Sequence, residues 1–391
     1  MKRLLLLFVL LIFFAGSVFS LDFGLLVDQK LEAENKSFLY EPAFAPWFSW
    51  NGGKGLSVYL SGLFSLKYTK FFEEADGKSG LTFVPELSRF SINYRLGQRY
   101  YFEAGRVWYA DVLGITASGL YDGLRFDAAL PIGGIRAGLF YTGLLYKETA
   151  KILMTPYDEA NYDIPLDWKS TVNYFASRRL FAAFRWDMPL GGISAFSLEA
   201  LAQFDLNGGD GGLHSQYGEV QFEFFPRNLG ITVGALFEAM ETGGEFNAAL
   251  GALARLRVEL PGSLNHGLNV AMKFSSGAWS DTFTVYKPLS SPSQGAVFPG
   301  TLSGLALFSG GYSVRILDTL FAEGSLRYYM RTFNDPAAPG VLYGGEIWAS
   351  LAWQPLDDIS VFLGGGAFFP GLGNIAGDTL WKVSAGLSLS F

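Results

Sequence analysis

Three observations predict an all-β chain closed into a transmembrane antiparallel up-and-down β-barrel of about 18 strands, within a range of 16–18. Apolar and polar residues alternate with period two along almost the whole chain. The alternating segments are long. The segments that join them alternate between short and long.

The alternation is clearest over residues 246–260. Phe246, Ala248, Leu250, Ala252, Ala254, Leu256, Val258 and Leu260 share one parity, and Asn247, Arg255, Arg257 and Glu259 share the other. A helix would spread those charges around its circumference, whereas a strand separates them onto one face. Val220, Phe222 and Phe224 stand against Glu219, Gln221 and Glu223 in the same way. So do Phe196, Leu198, Ala200, Ala202, Phe204 and Leu206 against Ser197, Glu199, Gln203 and Asp205, and Phe90, Ile92, Tyr94 and Leu96 against Arg89, Ser91, Asn93 and Arg95. These runs exceed the usual globular strand of about 5–6 residues and suit tilted strands with roughly 9–11 residues in hydrocarbon.

Short connectors are expected at 51–55, 97–98, 131–134, 189–192, 226–229, 261–267, 317–319 and 355–358, several opening on Pro, which cannot donate to a ladder. Longer ones are expected at 73–80, 111–118, 154–177, 208–215, 281–304, 334–344 and 373–378. Short turns on the periplasmic side and long loops outside place both termini in the periplasm. Trp50, Tyr100, Trp186 and Trp353 fall near short turns, and Trp108, Tyr109, Tyr146, Trp279 and Trp381 near long loops, giving two interfacial belts.

The N-terminus reads as an export signal. Lys2 and Arg3 precede eleven consecutive apolar residues (4–14) and then small residues, with cleavage expected after Ser20. The domain plan is therefore a signal peptide at 1–20 and one barrel domain at 21–391. Without the signal the chain holds 27 Lys+Arg against 36 Asp+Glu, a net charge of −9, so it is a poor partner for nucleic acid. It contains no Cys, which excludes disulfides, thiolate metal sites and a lipid-attachment cysteine.

At the other end, Trp381, Val383, Ala385, Leu387, Leu389 and Phe391 share one face, opposite Lys382, Ser384, Gly386, Ser388 and Ser390. The terminal alternation ending on Phe resembles the C-terminal assembly signal of Gram-negative-type outer-membrane β-barrel porins. That resemblance implies recognition by the barrel-assembly machinery. The segment Gly105-Arg106-Val107-Trp108 with Tyr121-Asp122-Gly123-Leu124-Arg125-Phe126 is similar to a hairpin of several porin families, without the long constriction loop of general porins.

Charges at a bilayer midplane cost about 2–4 kcal/mol on a lipid face, so the charged parity is expected to face the lumen. It comprises Arg89, Arg95, Arg125, Asp127, Arg136, Arg185, Asp187, Glu199, Asp205, Glu219, Glu223, Glu238, Arg255, Arg257, Glu259, Arg315, Glu323, Arg327 and Arg331. A lumen of about 16–18 strands is too wide for side chains alone to fill, so a charge-lined aqueous channel is expected.

Chemistry is thinly represented: the two histidines, His214 and His266, form no catalytic constellation, and no P-loop, dinucleotide or zinc spacing occurs. Asp158, Glu159, Asp163 and Asp167 read as a solvated acidic loop, with a bound divalent cation the weaker alternative. The expected function is passive diffusion of small hydrophilic solutes, with no enzyme activity and no cofactor. The rival is an adhesin or structural barrel working through loops 154–177 and 281–304. Outer-membrane lipids are expected partners, and a homo-oligomer stays open because every barrel wall is apolar.

Overall fold

The computed structural model describes residues 20–72, 79–153, 171–207, 212–262, 264–333, 340–372 and 377–391, with Thr155, Asp158, Ile164 and Leu166. The expected signal sequence falls on residues 1–20, of which all but Ser20 lie outside the described residues, as do Glu159, Asp163 and Asp167.

Eighteen strands form the wall: β1 Ser20–Glu34, β2 Ser37–Gly53, β3 Leu56–Phe71, β4 Ser79–Leu96, β5 Tyr100–Ala110, β6 Ser118–Leu130, β7 Gly133–Tyr141, β8 Arg179–Pro189 and β9 Ser194–Asp205. The second half is β10 Leu213–Phe224, β11 Leu229–Thr242, β12 Glu245–Glu259, β13 Gly267–Ser275, β14 Leu305–Leu317, β15 Leu320–Arg331, β16 Leu342–Leu356, β17 Ile359–Phe369 and β18 Leu380–Ser390. Each strand pairs antiparallel with its chain neighbours, and β1 pairs with β18 from Leu26↔Ser390 to Glu34↔Lys382, so the sheet closes. Closure removes the exposed edges that an open sheet would present. The hydrogen bonds Leu25 N→Phe391 O (3.0 Å) and Phe391 N→Leu25 O (2.9 Å) complete the seam.

Connectors at the end holding both chain termini are short throughout. At the other end they differ in size. Residues 243–244 form a two-residue turn in which Gly243 and Gly244 have φ of 62° and 82°, as a type I′ hairpin demands. By contrast, 142–178 and 276–304 are long, and the described residues of the former include a helical turn, α1 Lys147–Ala150, and a 3-10 turn at Thr171–Tyr174.

The strand faces differ as their sequences require. Phe102, Leu124, Leu139, Phe184, Phe237, Val270, Leu326, Ile347 and Val383 are exposed large apolar groups on the outer parity. In a soluble protein such a surface would be prohibitive; on a barrel wall it is the lipid-facing band. The inner parity carries charges at the short-turn end. Towards the long-connector end it carries Val107, Tyr109, Tyr121, Phe140, Phe181, Leu201, Tyr217, Leu236, Leu253 and Tyr329, all buried. What buries them is the chain itself, folded inward.

Candidate translocation pathway

Three connectors enter the lumen and bind one another. In residues 111–117 the Asp111 carboxylate accepts the backbone N–H of Leu113 (3.1 Å), Ile115 (3.1 Å), Thr116 (3.0 Å) and Ala117 (2.7 Å), folding the segment into a compact knot. Tyr286 donates to Thr116 Oγ1 at 2.9 Å, and Ser290 N donates to Thr116 O at 3.1 Å. Leu153 N reaches Leu289 O at 3.0 Å and Ser291 N reaches Lys151 O at 2.8 Å, so 142–153 is joined to 276–304. Burial pushes the Tyr286 phenol well above its ordinary value, keeping it a neutral donor.

Wall carboxylates anchor this assembly. Glu199 accepts from Tyr109 (2.5 Å) and from Val112 N (2.5 Å), while Glu219 accepts from Thr116 Oγ1 and more distantly from Leu113 N (3.4 Å). Glu238 takes Ser215 Oγ (2.9 Å) and Lys287 N (3.0 Å). Glu346 takes the three successive amides of Ala296, Val297 and Phe298 at 3.0, 3.1 and 2.7 Å, and Arg327 Nη1 at 2.6 Å. Buried carboxylates need such donors, and buried amides need such acceptors.

This differs from an expectation. Glu199, Glu219 and Glu238 share the inner parity but do not line water; they are buried beneath the inward connectors. The lumen is too wide to be filled by wall side chains alone, and folded chain segments narrow it instead.

Most of the remaining expected residues form two tracts nearer the short-turn end, while Arg327 and Arg331 lie farther along β15 towards the long connectors. On β4–β9, Glu103 lies between Arg89 (3.6 Å) and Arg125 (3.4 Å). Arg125 also reaches Asp127 (3.1 Å), and Asp127 reaches Arg136 (2.9 Å). Arg185 pairs with Asp187 at 2.7 Å, and Ser197 donates to Asp187 at 2.6 Å. Tyr101 has Arg125 5.3 Å and Arg95 5.9 Å from its ring centre. On β10–β15, Glu223, Arg255, Arg257 and Glu259 border a pocket of about 280 Å³ with Arg227 and Thr232, and Arg257–Glu259 is a loose pair at 3.6 Å. Arg315 and Glu323 are exposed. Arg331 packs 5.1 Å from the Tyr343 ring and donates to its hydroxyl at 3.2 Å.

Asp205 and Asp158 both pair with the fully buried Arg179, Asp158 at 2.5 Å. Asp158 is thus an ion-pair partner rather than part of a solvated loop, and no group of acids or histidines suited to a metal occurs among the described residues. His214 stacks near Phe204 (6.2 Å), and His266 bonds Tyr312 at 2.9 Å.

Several residues escaped sequence reasoning. Glu103, Glu346, Lys273, Asp28, Lys30, Glu32 and Lys382 obey the same parity and were legible there. Arg106 was not: it stands on the parity of Phe102, Ala104 and Trp108, where it forms a two-pronged pair with Asp122 (both contacts 2.9 Å). Arg106 is buried and Asp122 half-buried beside residues 142–150, and with a further bond from Arg106 to Leu144 O (3.0 Å) that parity is tolerable.

No family model and no curated protein matches the chain. Solved structures do. Pseudomonas aeruginosa OccK5 (OpdH) aligns with TM-score 0.62 at 9% identity, covering 95% of this chain and 98% of that one. OpdK of the same organism, crystallised with vanillate, aligns with TM-score 0.62 at 11% identity over 95% and 98%, and OpdQ with TM-score 0.62 at 9% over 95% and 99%. The chain shares their fold. OpdK is described as an outer membrane protein.

Proposed function

We propose that this protein is an outer-membrane channel of a diderm bacterium through which small hydrophilic solutes diffuse passively. The observation that carries the reading is hydration inside a closed barrel. On the inner parity the side chain of Arg89, within β4, keeps 47% of its exposure, and those of Arg257 and Glu259, at the short-turn mouth, keep 70% and 62%, which supports a solvated lumen. Charged walls of both signs replace part of a solute's hydration shell as it passes.

In this reading Arg89, Arg95, Arg125, Asp127, Arg136, Arg185, Asp187, Glu223, Arg255, Arg257, Glu259, Arg315, Arg327 and Arg331 line the path. Glu199 and Glu219 hold the connectors that narrow it. OpdK, which has this fold, was crystallised with vanillate, a small solute, and the size class transfers to this proposal. The adhesin alternative loses support because connector 281–304 turns inward, burying Tyr286, Leu289 and Leu302.

Export by the signal sequence and recognition of Trp381, Val383, Ala385, Leu387, Leu389 and Phe391 by the assembly machinery complete the proposal. The outward parity of these six residues supports the latter, with Trp381, Val383 and Phe391 well exposed. Swelling of proteoliposomes in isotonic uncharged sugars tests the function. Swelling that slows as the sugar grows supports a sieving channel; impermeability to every sugar in folded protein overturns it.

A further inference from the structure

The wall is not sealed by its ladder everywhere. β4 pairs with β3 from Ser79 to Leu87 and again from Arg89 to Tyr94, but with β5 only from Phe90↔Arg106 to Leu96↔Tyr100. Beyond that point β5 turns away, one residue after Gly105, whose φ of 124° is strained for any side chain; an added Cβ would lie 2.2 Å from Phe90 O. Residues 79–89 of β4 therefore present a second edge that β5 does not cover. Pro85, which has no N–H to leave unpaired, sits on that edge, as free edges favour.

Side chains and a connector close the split. Arg106, pinned by Asp122, donates to Leu87 O and Leu144 O. Tyr174 donates to Pro85 O at 2.7 Å, and its ring packs tilted 4.8 Å from that of Tyr146. On the inner side the split meets a polar cluster: Glu86 bonds Thr149, and Lys67 lies 3.4 Å from Glu148 and 3.9 Å from Glu41. On the outer side it opens onto a hollow of about 500 Å³ over Gly62, bounded by Pro46, Phe48, Leu60, Phe64, Pro85 and Leu87. Pro85 and Leu87 belong to both the hollow and the free edge.

We infer that this split is a lateral port for single-chain amphiphiles, joining the lumen to the hydrocarbon of the membrane. The polar headgroup meets the Lys67–Glu86 cluster while the acyl chain lies in the hollow. Displacing residues 144–149 and 174 opens the route, and no strand has to unpair, because β4 and β5 are not hydrogen-bonded there. A solute that needs the port is apolar along one part and polar at one end; a hydrophilic solute leaves by the lumen axis instead. The inference rests on the membrane setting proposed above but not on hydrophilic conduction.

The chain has no cysteine of its own, so a clean cross-link is available. The full chain carrying Pro85→Cys and Tyr174→Cys is expressed in cells with a lipopolysaccharide outer leaflet, and the two thiols are joined with a short bismaleimide. Uptake of radiolabelled dodecanoate is then compared with potassium chloride conductance of the same protein in planar bilayers. A port predicts that cross-linking lowers dodecanoate uptake to that of cells lacking the protein and leaves conductance unchanged. The single-cysteine variants treated with the same reagent should retain uptake. Uptake that survives cross-linking overturns the inference, and so does an equal fall in conductance, which would mean the reagent merely blocks the lumen. Absent conductance with cross-link-sensitive uptake would sink the proposed hydrophilic function and leave the port standing. Arg106→Met offers an independent reading: loosening the clasp should raise dodecanoate uptake above that of the unaltered protein.

Discussion

Replacing Glu346 by Ala removes one acceptor and leaves four donors behind. The amides of Ala296, Val297 and Phe298 and the guanidinium of Arg327 all converge on it. A buried donor without a partner costs about 1–3 kcal/mol, so three amides put roughly 3–9 kcal/mol against keeping the segment in place. Barrel closure does not depend on this residue, because the ladders of β15, β16 and β17 are backbone to backbone. The strain is therefore relieved locally: residues 294–300 leave the wall, and Phe298 gives up its stack with Tyr329 (4.2 Å) and Phe368 (4.9 Å). Single-channel recording and hydrogen exchange of the three amides check this together. Conductance should rise and exchange at Ala296, Val297 and Phe298 should accelerate, while strand amides stay protected. Glu346→Gln, which keeps the shape and loses the charge, should lie between. Unchanged exchange at those amides would refute the latch, whatever the conductance does.

Charge reversal at Arg255→Glu with Arg257→Glu should move the reversal potential in a salt gradient towards cation preference, since both side chains are exposed on the inner parity; an unmoved potential would place them off the path. Gly105→Val should prevent recovery of folded, heat-modifiable barrel on gels, because its φ of 124° and the nearby Phe90 O leave no room. Gly310→Ala, with nothing within 4 Å of the added carbon, should fold normally. Arg179→Met strands the buried Asp158 and Asp205 and should cost about 3–5 kcal/mol, read as a lower urea midpoint of unfolding.

The wall was the legible part of this molecule. Strand parity is a local property: Arg255, Arg257 and Glu259 declare their face to anyone reading alternate residues, and an even count of strands is what allows β18 to close antiparallel on β1. The lumen was legible only in outline. Parity told that Glu199, Glu219 and Glu238 face inward, but not that residues 111–117 and 276–304 would fold back to bury them. That outcome depends on contacts such as Tyr286 to Thr116, about 170 residues apart in the chain. Asp111 in front of Leu113 and Thr116 is a local cue to the knot and could have been read as a carboxylate facing successive free amides. Arg106 defeats period-two reasoning outright, because its partners Asp122, Leu87 and Leu144 come from three separate segments. The split between β4 and β5 has one mark in the β4 sequence, Pro85, close to the point where the pairing with β3 shifts register at Ser88.

The central claim is that water and small solutes pass along the lumen of the closed barrel, and planar-bilayer recording of the purified chain tests it most directly. The account predicts stable, stepwise conductance that scales with salt concentration and rises in Glu346→Ala. Folded protein that inserts and gives no steps in either form would contradict it.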